Sequence, residues 1–157
     1  VHRDVKPANV FLCERTDGGA RLVKLLDFGI AKVVGPAEGP VAPLAVPTVA
    51  GMLVGTPRYL SPEQVTGKPL DGRADQYAAA LGLYKMLCGV GPFDDYGRAE
   101  LLVAHVTEPP VVPSEHVPEL SGELDAVILK ALAKKPGDRF PTARAFAEAL
   151  YFVYAHR

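Results

Sequence analysis

Regular spacing of apolar residues dominates the chain after residue 70 and restricts it to a mainly helical fold. Between Asp71 and Gly89, apolar side chains recur at intervals of three and four residues, the period of an α-helix. Three further segments show this spacing: Arg98–Val106, Ser121–Ala133, and Thr142 to about Ala155. Ser121 and Thr142 are N-cap residue types, which supports a helix start at each. In the last helix, we predict that the residues facing the core are Phe146, Ala149, Leu150, Val153 and Tyr154.

The beginning of the chain predicts a small β-hairpin. Two apolar runs, Val10–Glu14 and Arg21–Leu26, flank the turn sequence Thr16–Gly19. The segment from Gly35 to Pro47 contains repeated prolines, which remove backbone donors and block both helix and central strand. We expect a mobile loop there. The predicted fold class is therefore mainly α with a small β-hairpin.

Composition and charge exclude several function classes. The 157 residues suffice for one domain, and a formal net charge of -1 gives no general attraction to nucleic acid, so none is expected as a partner. Cys13 and Cys88 lack metal-ligand spacing and are expected to be reduced thiols in the core of a cytoplasmic protein. The most apolar stretch, Tyr77 to Val90, is interrupted by Lys85 and is shorter than the ~20 residues that span a bilayer. It predicts a buried core helix.

The N-terminal part of the chain contains the groups that phosphoryl transfer requires. This reaction needs a carboxylate that orients or accepts a hydroxyl proton, hard oxygen ligands for Mg²⁺, and a cation near the transferred group. The residues that offer these functions are Asp4, Lys6, Asn9 and Asp27. The predicted hairpin returns the chain, so it can bring Asp27 back beside Asn9. Taken alone, each of these residues is more often a cap, a turn residue or a surface charge.

The order of these residues resembles that of protein kinases. The motif His2-Arg3-Asp4, with Lys6 and Asn9 two and five positions after the aspartate, is followed by Asp27-Phe28-Gly29, and both are similar to the family's catalytic and magnesium loops. The resemblance implies that Asp4 is the catalytic base and that Lys6 contacts a phosphate. It implies Asn9 and Asp27 as the Mg²⁺ ligands in an ATP complex. It gives structural roles to His2, Phe28 and Gly29.

The middle of the chain resembles the eukaryotic-like serine/threonine protein kinases of bacteria. Gly55–Gln64 is similar to the substrate-docking loop and the Ser-Pro-Glu motif of that group. The resemblance implies that Thr56 lies near Asp4 and Lys6 and favours serine or threonine substrates. Lys6 followed by Pro7 points to the same branch.

Two later segments extend the resemblance. Asp71–Tyr77 is similar to the start of the family's central helix, which implies that Asp75 braces the backbone of the catalytic loop. The segment from 134 to 140 resembles one whose arginine pairs with the glutamate of the Ser-Pro-Glu motif. A buried Glu63–Arg139 ion pair is therefore predicted. Lys134 and Lys135, which are adjacent, are expected on a solvated face.

An arginine immediately before the catalytic aspartate resembles kinases that are activated by phosphorylation of the activation loop. The side chain of Arg3 can bind a phosphate through two parallel hydrogen bonds. Between Gly29 and Gly55, Thr48 has the only hydroxyl side chain. We therefore predict Thr48 as the activating phosphosite, modified by autophosphorylation in trans between self-associating copies.

The resemblance implies that residues 1–157 are a partial protein kinase domain, running from the catalytic loop to the last helix of the C-terminal lobe. The complete fold is α+β. Because the Gly-rich loop and strand lysine of the N-terminal lobe are absent, we expect this chain alone to be inactive. The parent protein is expected to transfer the γ-phosphoryl group of ATP to serine or threonine of protein substrates, with Mg²⁺. The alternatives are a pseudokinase-like interaction module or remnant without catalysis and, less favoured because of the docking motifs, a small-molecule phosphotransferase.

Overall fold

Helices and two small strand pairs build the part of the chain that the structure describes. The computed structural model describes residues 1–17, 19–27 and 57–156, together with the backbone of 48–49 and 52–53. The helices are α1 (Pro62–Val65), α2 (Gly72–Cys88), α3 (Arg98–Thr107), α4 (Pro113–His116), α5 (Gly122–Ala131) and α6 (Ala143–Ala155). Short 3-10 turns lie at Pro7–Asn9, Pro57–Tyr59 and Pro136–Asp138.

The predicted hairpin is present at the beginning of the chain. Strands β1 (Val10–Cys13) and β2 (Leu22–Leu25) pair antiparallel, with Val10 opposite Leu25. Its apolar side chains are largely exposed on both faces, including Phe11 at 52% and Val23 at 61%. The hairpin therefore adds little to the core.

A second strand pair was not predicted. Strands β3 (Thr48–Val49) and β4 (Met52–Leu53) pair antiparallel within a region where the sequence showed no secondary-structure pattern. Two-residue strands are too short to give a detectable alternation of apolar and polar residues. The loop expected from Gly35 to Pro47 lies outside the described residues.

The four predicted helices correspond to α2, α3, α5 and α6, and N-cap side chains fix the starts of α2, α5 and α6. The side chain of Ser121 accepts a hydrogen bond from the backbone N–H of Leu124 at 3.3 Å, and that of Thr142 accepts one from Ala145 at 3.0 Å. Helix α2 ends at Gly89, whose φ of 75° lies in the left-handed region that glycine tolerates best. Helix α5 ends two residues before the predicted Ala133.

The core surrounds α2, which packs against α4, α5 and α6. Tyr77 and Tyr84 are fully buried, as expected for the core helix predicted in this segment. Because α2 has neighbours on several sides, apolar residues occur around most of its circumference. The buried cluster comprises Tyr77, Ala80, Leu81, Tyr84, Phe93, Leu101, Ala104, Leu124, Ile128, Ala131, Leu132 and Phe146.

The prediction that Tyr154 faces the core is wrong. Its exposed fraction is 71%, whereas Phe146 is buried and Leu150 and Val153 are partly buried against the core. Tyr151 and Phe152 are exposed as well, so few neighbours cover the last two turns of α6. Helical spacing identifies which residues share a face, but it does not show how far along the helix that face is covered.

The prediction that Lys134 lies on a solvated face is also wrong. Its Nζ donates to the backbone carbonyls of Ala104 and His105 at 2.9 and 3.0 Å, and it lies 4.4 Å from the centre of the Phe93 ring. These carbonyls belong to the last turns of α3, where a cation is favourable. Burial lowers the pKa of Lys134 to about 8. Lys135, by contrast, is exposed.

Within the described residues, none of the helices is both long enough and apolar enough to cross a lipid bilayer. Cys13 and Cys88 are free thiols, and each is partly buried rather than enclosed in the core.

Candidate active site

The backbone of residues 2 and 3 is fixed by the central helix. The carboxylate of Asp75, in the first turn of α2, accepts hydrogen bonds from the backbone N–H groups of His2 at 2.7 Å and Arg3 at 2.8 Å. Arg3 has a φ of 69°, a left-handed conformation that is uncommon outside glycine. Its carbonyl accepts a further hydrogen bond from Gln64 Nε2 at 3.1 Å. A strained residue is therefore held on both sides of its Cα, a feature that often occurs at functional sites.

The ring of His2 connects this loop to the end of the hairpin. Nδ1 accepts the backbone N–H of Asp4 at 3.3 Å, which assigns the ring proton to Nε2. Nε2 in turn lies 3.1 Å from the carbonyl of Leu26. Because His2 is buried and engaged at both nitrogens, its role here is structural.

The side chains of Asp4, Lys6 and Asn9 form one cluster. Lys6 Nζ lies 2.9 Å from Asp4 Oδ2. The amide nitrogen of Asn9 donates to the Asp4 carbonyl at 2.9 Å and to Asp4 Oδ2 at 3.2 Å. The side chains of Asp4 and Lys6 keep 18% and 23% of their surface exposed, so a reactant can reach them, whereas Asn9 is buried.

The hairpin brings the chain back to this cluster. The backbone N–H of Leu26 donates to the Asn9 carbonyl at 2.8 Å, which continues the ladder one pair beyond Val10 and Leu25. Asp27 is therefore the next residue after the one paired with Asn9. Its φ of 55° shows that the chain turns sharply here. The predicted return of Asp27 to the neighbourhood of Asn9 agrees with this register.

The oxygen atoms of Asn9 and Asp27 are of the kind that a hard cation prefers as ligands. Because the Asn9 amide nitrogen donates to Asp4, the amide oxygen is the atom of this side chain that could bind a metal. The described residues contain no group of three or more His, Cys, Asp and Glu side chains that could enclose an ion. Mg²⁺ commonly uses one or two protein carboxylates and completes its shell with water and phosphate oxygens. Asn9 and Asp27 together offer one amide oxygen and one carboxylate, a donor set compatible with that mode of binding.

The Ser-Pro-Glu segment is joined to this loop through a residue that the sequence analysis did not single out. Ser61 and Gln64 form a reciprocal capping box at the start of α1, and Gln64 Nε2 also reaches the Arg3 carbonyl. The pattern of a serine followed by glutamine three residues later could have indicated the cap. The contact with Arg3 could not be read from the sequence.

The predicted Glu63–Arg139 ion pair is present and buried. The guanidinium group donates to both carboxylate oxygens, and it lies 4.8 Å from the Tyr77 ring centre. The pair attaches the Ser-Pro-Glu segment to the helical core.

A buried histidine that the sequence analysis did not single out lies beside the Pro57–Tyr59 turn. Nδ1 of His105 lies 3.1 Å from the hydroxyl of Tyr77, and burial and the charge of Lys134 lower the pKa of His105 to about 4. The carbonyl of Pro57 acts in the opposite direction. Within the described residues, His105 Nε2 makes no hydrogen bond of standard length and angle. Its contact with the Pro57 carbonyl is therefore weak. His105 is therefore neutral near pH 7.

Several predicted residues cannot be placed at this site. Phe28, Gly29 and Thr56 lie outside the described residues, and Thr48 is described by its backbone alone, in β3. The structure brings together Asp4, Lys6 and Asn9 with the end of the hairpin that carries Asp27. It places the carboxylate of Asp75 against the backbone of His2 and Arg3, directly before Asp4. Glu63 and Arg139 lie together elsewhere, in the core.

Comparisons with known proteins identify the family. The protein kinase domain model matches residues 1–152. The serine/threonine-protein kinase Pkn1 of Myxococcus xanthus is 50% identical over 155 residues, which cover 99% of this chain and 21% of that protein. PknB of Mycobacterium tuberculosis, also a serine/threonine-protein kinase, is 41% identical over 154 residues, covering 98% of this chain and 23% of PknB.

A solved structure agrees with the fold. The crystal structure of the PknI kinase domain of Mycobacterium tuberculosis, a double mutant, matches with a TM-score of 0.63 and 32% identity, covering 97% of this chain and 45% of that one. The chain spans about a fifth of the length of Pkn1 and PknB. The predicted resemblance to bacterial serine/threonine kinases and the predicted fold class are confirmed. This chain belongs to the protein kinase domain family.

Proposed function

We propose that the protein containing this chain is a serine/threonine protein kinase that transfers the γ-phosphoryl group of ATP to protein substrates. The observation that carries the proposal is the cluster in which Asp4 is contacted by both Lys6 and Asn9, next to the end of the hairpin that carries Asp27. It combines an accessible carboxylate, a cation and hard oxygen donors within one loop. These are the groups that phosphoryl transfer needs.

In this proposal each residue takes the role that the resemblance to protein kinases implies. Asp4 would accept a hydrogen bond from the attacking hydroxyl and receive its proton. Lys6, which lies 2.9 Å from the same carboxylate, would hold the transferred phosphoryl group close to Asp4. The amide oxygen of Asn9 and the carboxylate of Asp27 would hold Mg²⁺. When bound, the ion would neutralise charge on the phosphates of ATP.

The preference for serine and threonine rests on the resemblance at Lys6, Pro7 and Thr56. In this proposal Thr56 hydrogen-bonds near Asp4 and Lys6 and guides the substrate hydroxyl toward them. Asp75 acts as a brace, because it fixes the backbone N–H groups of His2 and Arg3 directly before Asp4. The partners are protein substrates and a second copy of the kinase, with no nucleic acid. We propose that the kinase domain works in the cytoplasm.

We further propose that residues 1–157 are one part of a kinase domain whose nucleotide-binding lobe contributes the remainder of the ATP site. The exposed apolar side chains on both faces of the hairpin offer a surface for additional chain. On this view the chain alone does not transfer phosphate. A pseudokinase-like module is the alternative, and the intact set of Asp4, Lys6, Asn9 and Asp27 argues against it.

The test is a phosphorylation assay of the purified parent protein with casein as the acceptor, Mg²⁺ and labelled ATP. We expect label on serine or threonine in the wild type, and loss of label in Asp27→Asn. The matched control is Asp17→Asn, in the exposed turn of the same hairpin, which should keep wild-type activity. Titration calorimetry should show that Asp27→Asn also weakens binding of Mg-ATP. An inactive wild type that still binds a partner protein would favour the pseudokinase reading.

A further inference from the structure

A cluster of charges centred on Asp94 joins the Pro57–Tyr59 turn to the end of the central helix. The carboxylate of Asp94 accepts the backbone N–H of Gly91 at 2.9 Å and the Nζ of Lys85 at 2.9 Å. Its other oxygen is contacted by Nη1 of Arg58, in the 3-10 turn. One side chain therefore connects three separate parts of the chain: the turn, the last full turn of α2, and the loop that follows α2.

The three side chains are only partly exposed, and Asp94 is the most enclosed. Exposed fractions are 24% for Asp94, 38% for Lys85 and 47% for Arg58. Burial alone would raise the pKa of Asp94, but the Gly91 N–H and the charges of Lys85 and Arg58 lower it overall. Asp94 is therefore ionised at neutral pH and can hold both cations.

The carboxylate of Asp94 fits beside Gly91 because glycine has no side chain. A Cβ atom at Gly91 would lie 2.8 Å from Asp94 Oδ1, closer than such atoms approach in proteins. Only a residue without a side chain leaves the carboxylate in this position. Substitution of Gly91 by alanine would therefore displace Asp94 without removing any charge.

The space beside the cluster is too small for a ligand. Arg58, Lys85 and Asp94 line a cavity of about 10 Å³ together with Tyr59 and Phe93. Such a volume holds one water molecule at most. The cluster therefore connects parts of the chain and does not form a binding pocket.

We propose that Asp94 is a positioning residue for protein-substrate docking: it anchors Arg58 and so fixes the Pro57–Tyr59 turn, which lies within the docking segment Gly55–Gln64. The inference rests on the proposed kinase function, because it assigns a role in substrate docking to Gly55–Gln64, the segment that contains Arg58. Without the anchor, the turn would keep its contacts with α2 and α3 but lose its charged attachment to the loop after α2. The Pro57–Tyr59 turn would then sample more conformations before a substrate binds, which weakens binding of the substrate.

The experiment measures steady-state kinetics of the parent kinase with casein as the variable acceptor. Asp94→Asn should raise the KM for casein about fivefold, the scale of a partly exposed ion pair. The kcat and the KM for ATP should stay within about twofold, because Asp94 contacts neither Asp4 nor its neighbours. Asp95→Asn is the matched control, since Asp95 is adjacent and exposed, and it should leave all three constants unchanged.

Two further variants separate positioning from a general loss of stability. Gly91→Ala keeps every charge and should raise the KM for casein in the same direction. Arg58→Gln should raise it to a similar extent, and combining it with Asp94→Asn should add little, because both remove one interaction. Hydrogen exchange should be faster in the peptide containing Pro57–Tyr59 for each variant.

The outcomes distinguish this inference from the proposed function. A wild-type protein that phosphorylates no acceptor would overturn the proposed function and the docking role with it. An active wild type would leave the proposed function standing. In that case, an unchanged KM for casein in Asp94→Asn, or additive effects of Arg58→Gln and Asp94→Asn, would overturn the docking role alone.

Discussion

The guanidinium group of Arg139 is bound to the carboxylate of Glu63 by two parallel hydrogen bonds of 2.7 and 2.8 Å, although the two residues are 76 positions apart. The Arg139 and Glu63 side chains are 0% and 4% exposed. The remaining N–H groups of Arg139 donate to the carbonyls of Arg73, Ala133 and Lys134. All five donors are satisfied, which is the condition under which a buried arginine is tolerated.

Breaking this pair should strongly destabilise the fold. Replacing Glu63 by glutamine leaves a buried positive charge without its partner, so the free energy of unfolding of the parent domain should fall by about 3–5 kcal/mol. Urea denaturation measures the change. Glu148→Gln is the control, because Glu148 pairs with Arg144 on the exposed surface of α6 and should cost less than about 1 kcal/mol. Equal effects of the two substitutions would show that the Glu63–Arg139 pair contributes no more than a surface pair.

The stability of the domain should depend on pH through His105. The pKa of His105 is about 4 in the folded protein and about 6.5 when the residue is unfolded. Between these values the unfolded state binds more protons, so stability is lost as the pH falls from 6.5 toward 4. We expect this residue to account for a loss on the order of 2 kcal/mol between pH 6.5 and 4.5. Urea unfolding of wild type and His105→Asn at both pH values measures it. An equally steep loss in the variant would exclude His105 as the cause.

The charge of Lys134 should be one reason that the His105 pKa is low. Lys134→Met keeps the length of the side chain and removes the charge, so the pKa of His105 should rise from about 4. An NMR titration of the imidazole follows it directly. Lys135→Met removes the neighbouring exposed charge and should change the titration little. If both variants shift it equally, general electrostatics and not the buried contact sets the pKa.

Activation should require phosphorylation of Thr48. A phosphate adds about -1.5 to -2 charge at pH 7 and can pair with the fork of Arg3. We expect mass spectrometry of the active parent kinase to find phosphate on Thr48, and Thr48→Ala to lower activity. Thr16→Ala, in the exposed hairpin turn, should have no effect. Full activity with Thr48 unmodified would reject the prediction and leave Arg3 without its proposed partner.

The sequence predicted the helices whose apolar spacing is long and capped, and missed the features that depend on distant neighbours. Ser121 and Thr142 start α5 and α6 as predicted, because a cap is a local interaction. The one-turn helices α1 and α4 are too short to show a period. Lys134 was misjudged because its partners, the carbonyls at the end of α3, are some 30 positions away.

The candidate site was predicted in the same uneven way. The hairpin signal was enough to predict that Asp27 returns to the neighbourhood of Asn9, since strand pairing follows from local turn chemistry. The contact between Glu63 and Arg139 came from a resemblance and not from spacing. The link from Gln64 to the Arg3 carbonyl joins two loops that lie 61 positions apart, and no local pattern encodes it.

The role of Asp4 is the centre of this account, and the rate of phosphoryl transfer in the Asp4→Asn variant of the parent kinase tests it most directly. Asparagine keeps the shape of the side chain and removes the proton acceptor, so kcat should fall by about 10²–10⁴. Calorimetry should show Mg-ATP binding within a few-fold of wild type, and Asp17→Asn should retain full activity. Near-normal turnover of Asp4→Asn would contradict the assignment of Asp4 as the catalytic base.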